Sequence, residues 1–409
     1  MRIEVDTRVP YGNACDLTLT VSDDVLEVGF SPDPHGGPET LWFCFRLSCS
    51  GQPEPEPDGD DYTERDRDTT RGCRNGTVHL VLKHSNNMLG GHDPEAIRPV
   101  VRYDGGPWER LPKGTVVLLP DGRPTVSWSV ETPQHAIDVA VCYPYGLNEL
   151  RTLVTETDAF WTADTIGVSQ AARPLLRLSN SYGEEGGQRP GLYLMARQHA
   201  GETPGSWVMD GFLRTMADFG DAAPLIWAIP LANIDAIEGG DYGKDNFPYD
   251  LNRAWGRPPI RHEVSVFQRD LWRWRARCRP VLAIDFHAPG ACENNGVYAY
   301  VPDPDTDRGA HEVVMPWIDW TGESLGTPYA AEEFARVARY PSRWETPSFR
   351  TYLWSQLGVP CVTYETPYAQ TGERVLTQED YREIGGRIAK GVMRGLDRLS
   401  IGPRARDDD

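Results

Sequence analysis

Positive charge is scarce in this chain: 41 Lys and Arg stand against 60 Asp and Glu, a formal net charge of −19. Such a field repels nucleic acid and anionic membrane, so neither is an expected partner. No C-x-x-C pair occurs among the eight cysteines, which leaves no support for a zinc ribbon or a thioredoxin-like redox site. No apolar run approaches the length that spans a bilayer. The opening MRIEVDTRVPYGNACD has no basic stretch followed by an apolar one. The expectation is therefore a cytoplasmic protein without a secretory signal, its thiols reduced and mostly buried. No internal repeat is visible.

What the chain does have is size and aromatic content. Its 409 residues exceed a typical single core, and 39% hydrophobic residues with 13 Trp, 17 Tyr and 11 Phe suffice for two. The first third reads as all-β. Short runs at Leu41–Leu47, Val78–Leu82, Thr115–Leu119 and Ile137–Val141, separated by Gly, Pro and Asp clusters, predict a sandwich of antiparallel strands. The polar, Pro-rich stretch 51–72 between two of them reads as a solvated insertion. From about residue 175 strands and helices alternate. Strands are expected at Gly191–Arg197, Leu225–Ile229, Val281–Phe286, Val297–Val301 and Val359–Tyr364. Helices are expected at Ser206–Phe219, His262–Arg277, Pro347–Leu357 and Gln378–Leu396. That alternation predicts a mainly parallel sheet covered on both faces, with a site at the carboxyl ends of its strands. The division is placed at residues 1–155 for the β-sandwich, 156–400 for the α/β domain and 401–409 for a frayed tail.

Three residues at predicted strand ends carry the chemistry. In ARQHAGETPGSW, His199 and Glu202 follow an apolar strand at a spacing of three, with Gly201 free to bend the backbone between them. His287 closes the run VLAIDFH. Two imidazoles and a carboxylate are the three protein ligands of a catalytic zinc site, with a fourth position left for water. Asp285, two residues before His287 and on the same face of a strand, reads as its outer carboxylate or as a buried, backbone-bonded Asp. Glu365 ends the strand in GVPCVTYETPY, where a carboxylate near an activated water can take its proton. In the segment DLNR, Arg253 offers a bidentate fork for a carboxylate and Asn252 a further donor, or else Arg253 ties the loop to Asp250.

Taken in order, QHAGET, NIDAIEGG with DLNRAW, DFHA and TYET resemble the M14 metallocarboxypeptidases, and within them the cytosolic carboxypeptidase subfamily. The resemblance covers roughly residues 175–400, and LWFCFRL, SNNM and VCYPYGLNEL resemble the β-sandwich that precedes that catalytic domain. It implies a zinc carboxypeptidase-type mixed β-sheet flanked by helices, after an all-β sandwich. It implies one zinc ion per chain on His199, Glu202 and His287, and Glu365 as general base and proton shuttle. It implies that Asn252 and Arg253 grip the free carboxylate of a peptide or small amide. Two positions depart from the subfamily: Ala200 stands where Pro is usual, and the loop GGDYGKDNFPYD lacks the usual carbonyl-polarising Arg. Lys244, the loop's only cation, is assigned that role. By the same likeness Arg350 would accept an acidic side chain and Tyr340 would cap the substrate. The expected activity is hydrolysis of a C-terminal amino acid. Its rivals are an amidohydrolase or deacylase acting on small N-acyl amino acids, and an inactive binding module.

Overall fold

The computed structural model describes residues 2–22, 25–35, 37, 39–50, 69–71, 76–244, 248–339 and 344–401. The chain divides into two compact units. The first comprises residues 1–144, 236–246 and 290–294; the second comprises 145–235, 247–289 and 295–409.

The first unit holds two sheets. Strands Arg2–Asp6, Cys44–Ser50, Ala136–Ala140, Val100–Tyr103 and Glu109–Arg110, with Thr69–Arg71 at the edge, form a six-stranded antiparallel sheet. Cys15–Ser22, Val25–Ser31, Thr77–Leu82, Pro124–Glu131 and Thr115–Leu118 form a five-stranded one. Burial alternates as a two-residue period requires: Val78, Leu80 and Leu82 point inward, as do Val126, Trp128 and Val130. Phe30 of one sheet meets Phe45 of the other, and Phe43 just before that strand, with ring centroids 4.8 and 5.0 Å apart. The two-sheet prediction holds, with one difference. Val25–Ser31 pairs parallel to Thr77–Leu82. Parallel neighbours need a crossover, and the intervening chain makes one by running through the other sheet. The insertion at 51–72, Thr69–Arg71 excepted, lies outside the described residues, as do Cys73 and residues 402–409 of the tail.

The second unit opens with α1 (Leu147–Glu156) and is built on eight strands. These are β1 (Thr162–Val168), β2 (Pro174–Ser179), β3 (Pro190–Ala196), β4 (Leu225–Ile229), β5 (Arg279–His287), β6 (Val297–Val301), β7 (Ala330–Val337) and β8 (Cys361–Glu365). The spatial order is β1-β2-β4-β3-β5-β8-β6-β7. The central run β4-β3-β5-β8 is parallel, while β1 with β2, β2 with β4 and β6 with β8 pair antiparallel. The sheet is therefore mixed, with its parallel core reading as unbroken apolar runs such as LIWAI and VLAIDF.

Helices α2 (Thr203–Asp218), α3 (His262–Arg277), α4 (Arg308–Leu325) and α5 (Gln378–Ile401) cover it. Tyr193 on β3 meets Trp274 of α3 at 5.5 Å, whereas Phe286, from the other face, meets Phe212 of α2 at 5.9 Å. Helices α2 and α5 approach so closely that a Cβ at Gly211 would lie 2.0 Å from the Arg382 carbonyl oxygen, and one at Gly385 would lie 1.9 Å from that of Val208. Only glycine fits at either place. Among the described residues no helix is long and apolar enough to cross a membrane.

Candidate metal centre

Three elements of the second unit deliver the candidate ligands. His199 lies three residues beyond the end of β3, Glu202 is the residue on which α2 begins, and His287 is the last residue of β5. The bend between β3 and α2 takes its positive φ at Arg197, 62°, rather than at Gly201. A buried non-glycine residue in that region is held there by its surroundings. The Arg197 guanidinium donates to the Ala200 carbonyl at 2.7 Å and to the Tyr145 carbonyl at 2.8 Å, pinning the ligand loop from beneath.

The three side chains converge. All are buried, and one ligand atom from each lies within 4.8 Å of the others. Nδ1 of His199 is 2.8 Å from one Glu202 oxygen, and Nδ1 of His287 is 2.7 Å from the other. The imidazole rings tilt toward each other with centroids 4.9 Å apart. Their Nε2 atoms turn outward to carboxylates: His199 to Asp250 at 3.3 Å and His287 to Asp285 at 2.9 Å. Each imidazole thus offers one nitrogen to the shared centre and is oriented by an acid at the other, the arrangement that fixes the tautomer of a metal-ligating histidine. The donor set fits a divalent ion of borderline softness such as zinc.

The charges agree with that reading. Burial opposes the ionised form of Glu202, but the two histidines outweigh it and hold the carboxyl below its usual range. Burial likewise disfavours a cationic His287, yet Asp285 and Glu202 raise its proton affinity well above the ordinary value. His199 is raised in the same sense by Glu202 and Asp250 against burial. A buried cluster with this much negative potential could hold a cation.

A buried polar chain extends behind His287. Asp285 Oδ2 also accepts from Gln198 Nε2 at 2.8 Å, and Gln198 Oε1 accepts from the Trp255 indole at 2.8 Å. Gln198 and Trp255 are fully enclosed. Asn252 lies beside the same imidazole, its Nδ2 at 3.2 Å from His287 Nε2, while its Oδ1 accepts from the Phe349 amide at 3.1 Å. That second bond settles which way the amide faces. With Nδ1 of His287 given to an ion, Nε2 carries the proton and donates to Asp285, and the Asn252 N–H is left for another acceptor. Asp250 does more than tie a loop: besides facing His199, it accepts the Asn252 amide at 2.7 Å and starts the short turn Leu251–Arg253.

Glu365 stands directly beside His287 in the parallel ladder between β5 and β8, at the carboxyl end of both strands, and is half-buried. Arg253 is half-buried, with its guanidinium on the Asn252 carbonyl at 2.9 Å. Arg350, in the short helix Phe349–Tyr352, is half-buried and close enough to the interior thiol of Cys361 to act on it electrostatically. Lys244 belongs to the first unit, where its ammonium is 3.6 Å from Glu39. Tyr340 lies outside the described residues. Sequence reasoning passed over Arg197, Gln198, Trp255 and the outward role of Asp250. Gln198 could have been suspected from a polar side chain between an apolar strand and a ligand.

Comparison with known proteins gives the same direction. No protein-family profile matches the chain. Cytosolic carboxypeptidase 6 of Mus musculus is 25% identical over 330 residues, 71% of this chain and 61% of that protein. Cytosolic carboxypeptidase 2 of Xenopus tropicalis is 30% identical over 326 residues, 73% of this chain and 31% of that protein. The chain thus spans about six-tenths of the first relative's length and a third of the second's. A crystal structure of a metallo-carboxypeptidase from Burkholderia cenocepacia superposes with a TM-score of 0.72 at 17% identity, covering 98% of this chain and all of that one.

Proposed function

The chain is a cytosolic carboxypeptidase-like protein of the M14 metallocarboxypeptidase type, and from that premise we propose that it is a cytoplasmic zinc enzyme removing a C-terminal amino acid from a peptide. The observation that carries the reading is the convergence of two Nδ1 atoms on the Glu202 carboxylate, with both Nε2 atoms turned to acids.

His199, Glu202 and His287 would hold the ion. When bound, zinc supplies Lewis acidity at a carbonyl oxygen and brings the pKa of a water down toward neutrality. The remaining work falls to this chain's own side chains. Glu365, one strand over from His287, takes the proton of the attacking water and delivers it to the departing amine. The Arg253 fork receives the substrate's terminal carboxylate, and the Asn252 N–H that His287 leaves unused adds a second donor. Lys244 is assigned the charge that polarises the scissile carbonyl. Tyr340 is assigned to cap the bound substrate. Arg350, interior enough to act on Cys361, supplies the positive charge for an acidic C-terminal side chain.

The test sets native protein beside Glu365→Gln on a panel of peptides ending in Glu, Asp or Lys and on N-acyl amino acids, with and without chelator. Native protein should cleave the acidic-ended peptides, and chelator should abolish the reaction. The variant should keep its zinc and lose about 10²- to 10⁴-fold in kcat. Turnover confined to N-acyl amino acids would replace the peptidase reading with a deacylase; full activity in Glu365→Gln would remove Glu365 as the base.

A further inference from the structure

The two imidazoles of the centre are oriented by different means. His287 has its outer acid, Asp285, on its own strand, with Gln198 and Trp255 behind that acid. His199 stands on the loop after β3, and its outer acid Asp250 begins a separate turn, Leu251–Arg253. Neither residue lies in a strand, so no ladder sets their 3.3 Å approach. One buried side chain reaches toward both segments. Arg261, the residue on which α3 begins, donates from Nη1 to the carbonyl of Tyr249 at 3.1 Å, one residue before Asp250. Its Nη2 reaches Asn233 Oδ1 at 3.4 Å. Asn233 is in turn clipped to the ligand loop: its Nδ2 donates to the Gln198 carbonyl at 3.2 Å, and its backbone amide to the Arg197 carbonyl at 3.0 Å. A closed route therefore runs from Asp250 through Tyr249, Arg261, Asn233 and Gln198 to His199.

Arg261 and Asn233 are 6% and 1% exposed. A guanidinium so deeply buried is costly unless paired, and a lone positive charge in the same interior would oppose an ion on the ligands. Glu263, itself buried, removes both objections. One of its oxygens accepts from Arg261 Nε at 3.2 Å, while the other accepts the Gln170 amide at 3.3 Å. With the charge cancelled, what Arg261 contributes is geometry: a planar fork whose Nε is held by Glu263 and whose two terminal nitrogens fix two other segments. The Asn233 amide is likewise fixed in sense, because its oxygen faces a donor and its nitrogen a carbonyl.

We propose that Arg261 is a positioning residue of the metal centre: it ties the turn that Asp250 begins to the loop bearing His199, and so holds that carboxylate against His199 Nε2. The inference rests on the reading of His199, Glu202 and His287 as zinc ligands. Arg261 is assigned no contact with the ion or with a substrate; it acts through Asp250. The same turn carries Asn252 and Arg253, so the tie also bears on where those two donors stand.

The experiment is a double-mutant cycle read in zinc affinity, measured by chelator competition at mildly alkaline pH, where protons compete least with the ion. Arg261→Lys keeps a cation for Glu263 but loses the fork. It should weaken zinc binding about tenfold, the lower end for a lost outer partner. In an Asp250→Asn background the same substitution should cost less than about twofold, because the acid it positions no longer carries its charge. In an Asp285→Asn background, on the other imidazole, it should again cost about tenfold. Arg261→Met with Glu263→Gln leaves no buried charge and keeps an acceptor for the Gln170 amide; it should repeat the pattern and guards against a lysine that does not fit. Thermal unfolding is followed in parallel. An ion pair that only stabilises the fold would lower the melting temperature and either leave zinc affinity alone or reduce it by one factor in every background. Either result would overturn the proposal, as would a loss that Asp285→Asn suppresses as fully as Asp250→Asn does. Native protein that binds no zinc would remove the metal reading and the proposal with it, whereas native binding with equal losses in all backgrounds removes the proposal alone.

Discussion

Asp285→Asn is the substitution that separates a metal centre from a merely buried polar cluster. Asp285 is 1% exposed and its Oδ2 accepts from both His287 and Gln198, at 2.9 and 2.8 Å. The amide keeps the shape and an acceptor oxygen but loses the charge that orients His287 and raises its basicity. Losing such an outer partner weakens metal binding by about 10- to 100-fold, or about 1.4 to 2.7 kcal/mol. The pH dependence adds a second signature. A proton on Nδ1 competes with the ion, and Asp285, acting against burial, raises the proton affinity of His287. In the native protein, zinc affinity should therefore begin to fall at a pH above the ordinary histidine range as the solution is acidified. In Asp285→Asn the affinity should be lower on the alkaline plateau, but its decline should start at a more acidic pH. Chelator competition across pH 5 to 9 measures both, with bound zinc confirmed by elemental analysis. A plateau affinity within about twofold of native would show that Asp285 does not act through His287, and would refute the orientation argument.

Three further outcomes are expected. Gln198→Leu leaves the Trp255 indole and one side of Asp285 without their bonds and should cost about 1 to 3 kcal/mol of stability by thermal unfolding and loosen zinc, whereas Gln198→Glu keeps an acceptor for the indole but sets a second carboxylate against Asp285 and should not restore the stability. Asp138→Asn in the β-rich unit should cost about 1 to 2 kcal/mol near neutral pH, discounted because Arg46 and Arg102 are 40% and 33% exposed. Burial opposes the ionised Asp138, but the two arginines hold its pKa below the usual value, so its contribution is present above the unfolded pKa and vanishes as pH falls through the folded one. The native and variant unfolding curves should accordingly converge below about pH 4, and a difference that persists in acid would contradict the assignment.

Much of the second unit was legible because its parallel strands are continuous apolar runs. Leu225–Ile229 and Val297–Val301 fall where the sequence placed them, as does the helix His262–Arg277. The outer elements were not read. In β1, TADTIGV, only intermediate and exposed side chains occur, so an edge strand leaves no apolar stripe. The segment AAEEFARV of β7 is mostly Ala, Glu and Arg, good helix formers, and becomes a strand through its pairing with β6. Helix α4 carries Pro316 in its interior, which argues against a helix locally.

At the site, His199, Glu202 and His287 stood out because titratable residues at or just beyond the end of an apolar strand conflict with packing unless something holds them, although only His287 actually ends its strand. Their outer partners were harder. Gln198 and Trp255 have ordinary roles in most proteins, and only the fold brings residues 57 apart into a 2.8 Å bond. The segments 236–246 and 290–294 join the first unit although the chain has by then entered the second. Lys244 lies on one of them, and a local reading of its loop gives no hint of the Glu39 partner contributed some 200 residues earlier.

The side-by-side placement of His287 and Glu365 has a consequence for how such an enzyme can change. Their separation is dictated by neighbouring strands about 4.8 Å apart, and moving β8 by one residue would throw Glu365 to the opposite side of the sheet. In the proposed mechanism, alignment of the base with the metal centre is thereby delegated to backbone pairing between β5 and β8. Segments outside the ladder can then change in length and charge while the spacing between His287 and Glu365 stays as the strand pairing sets it.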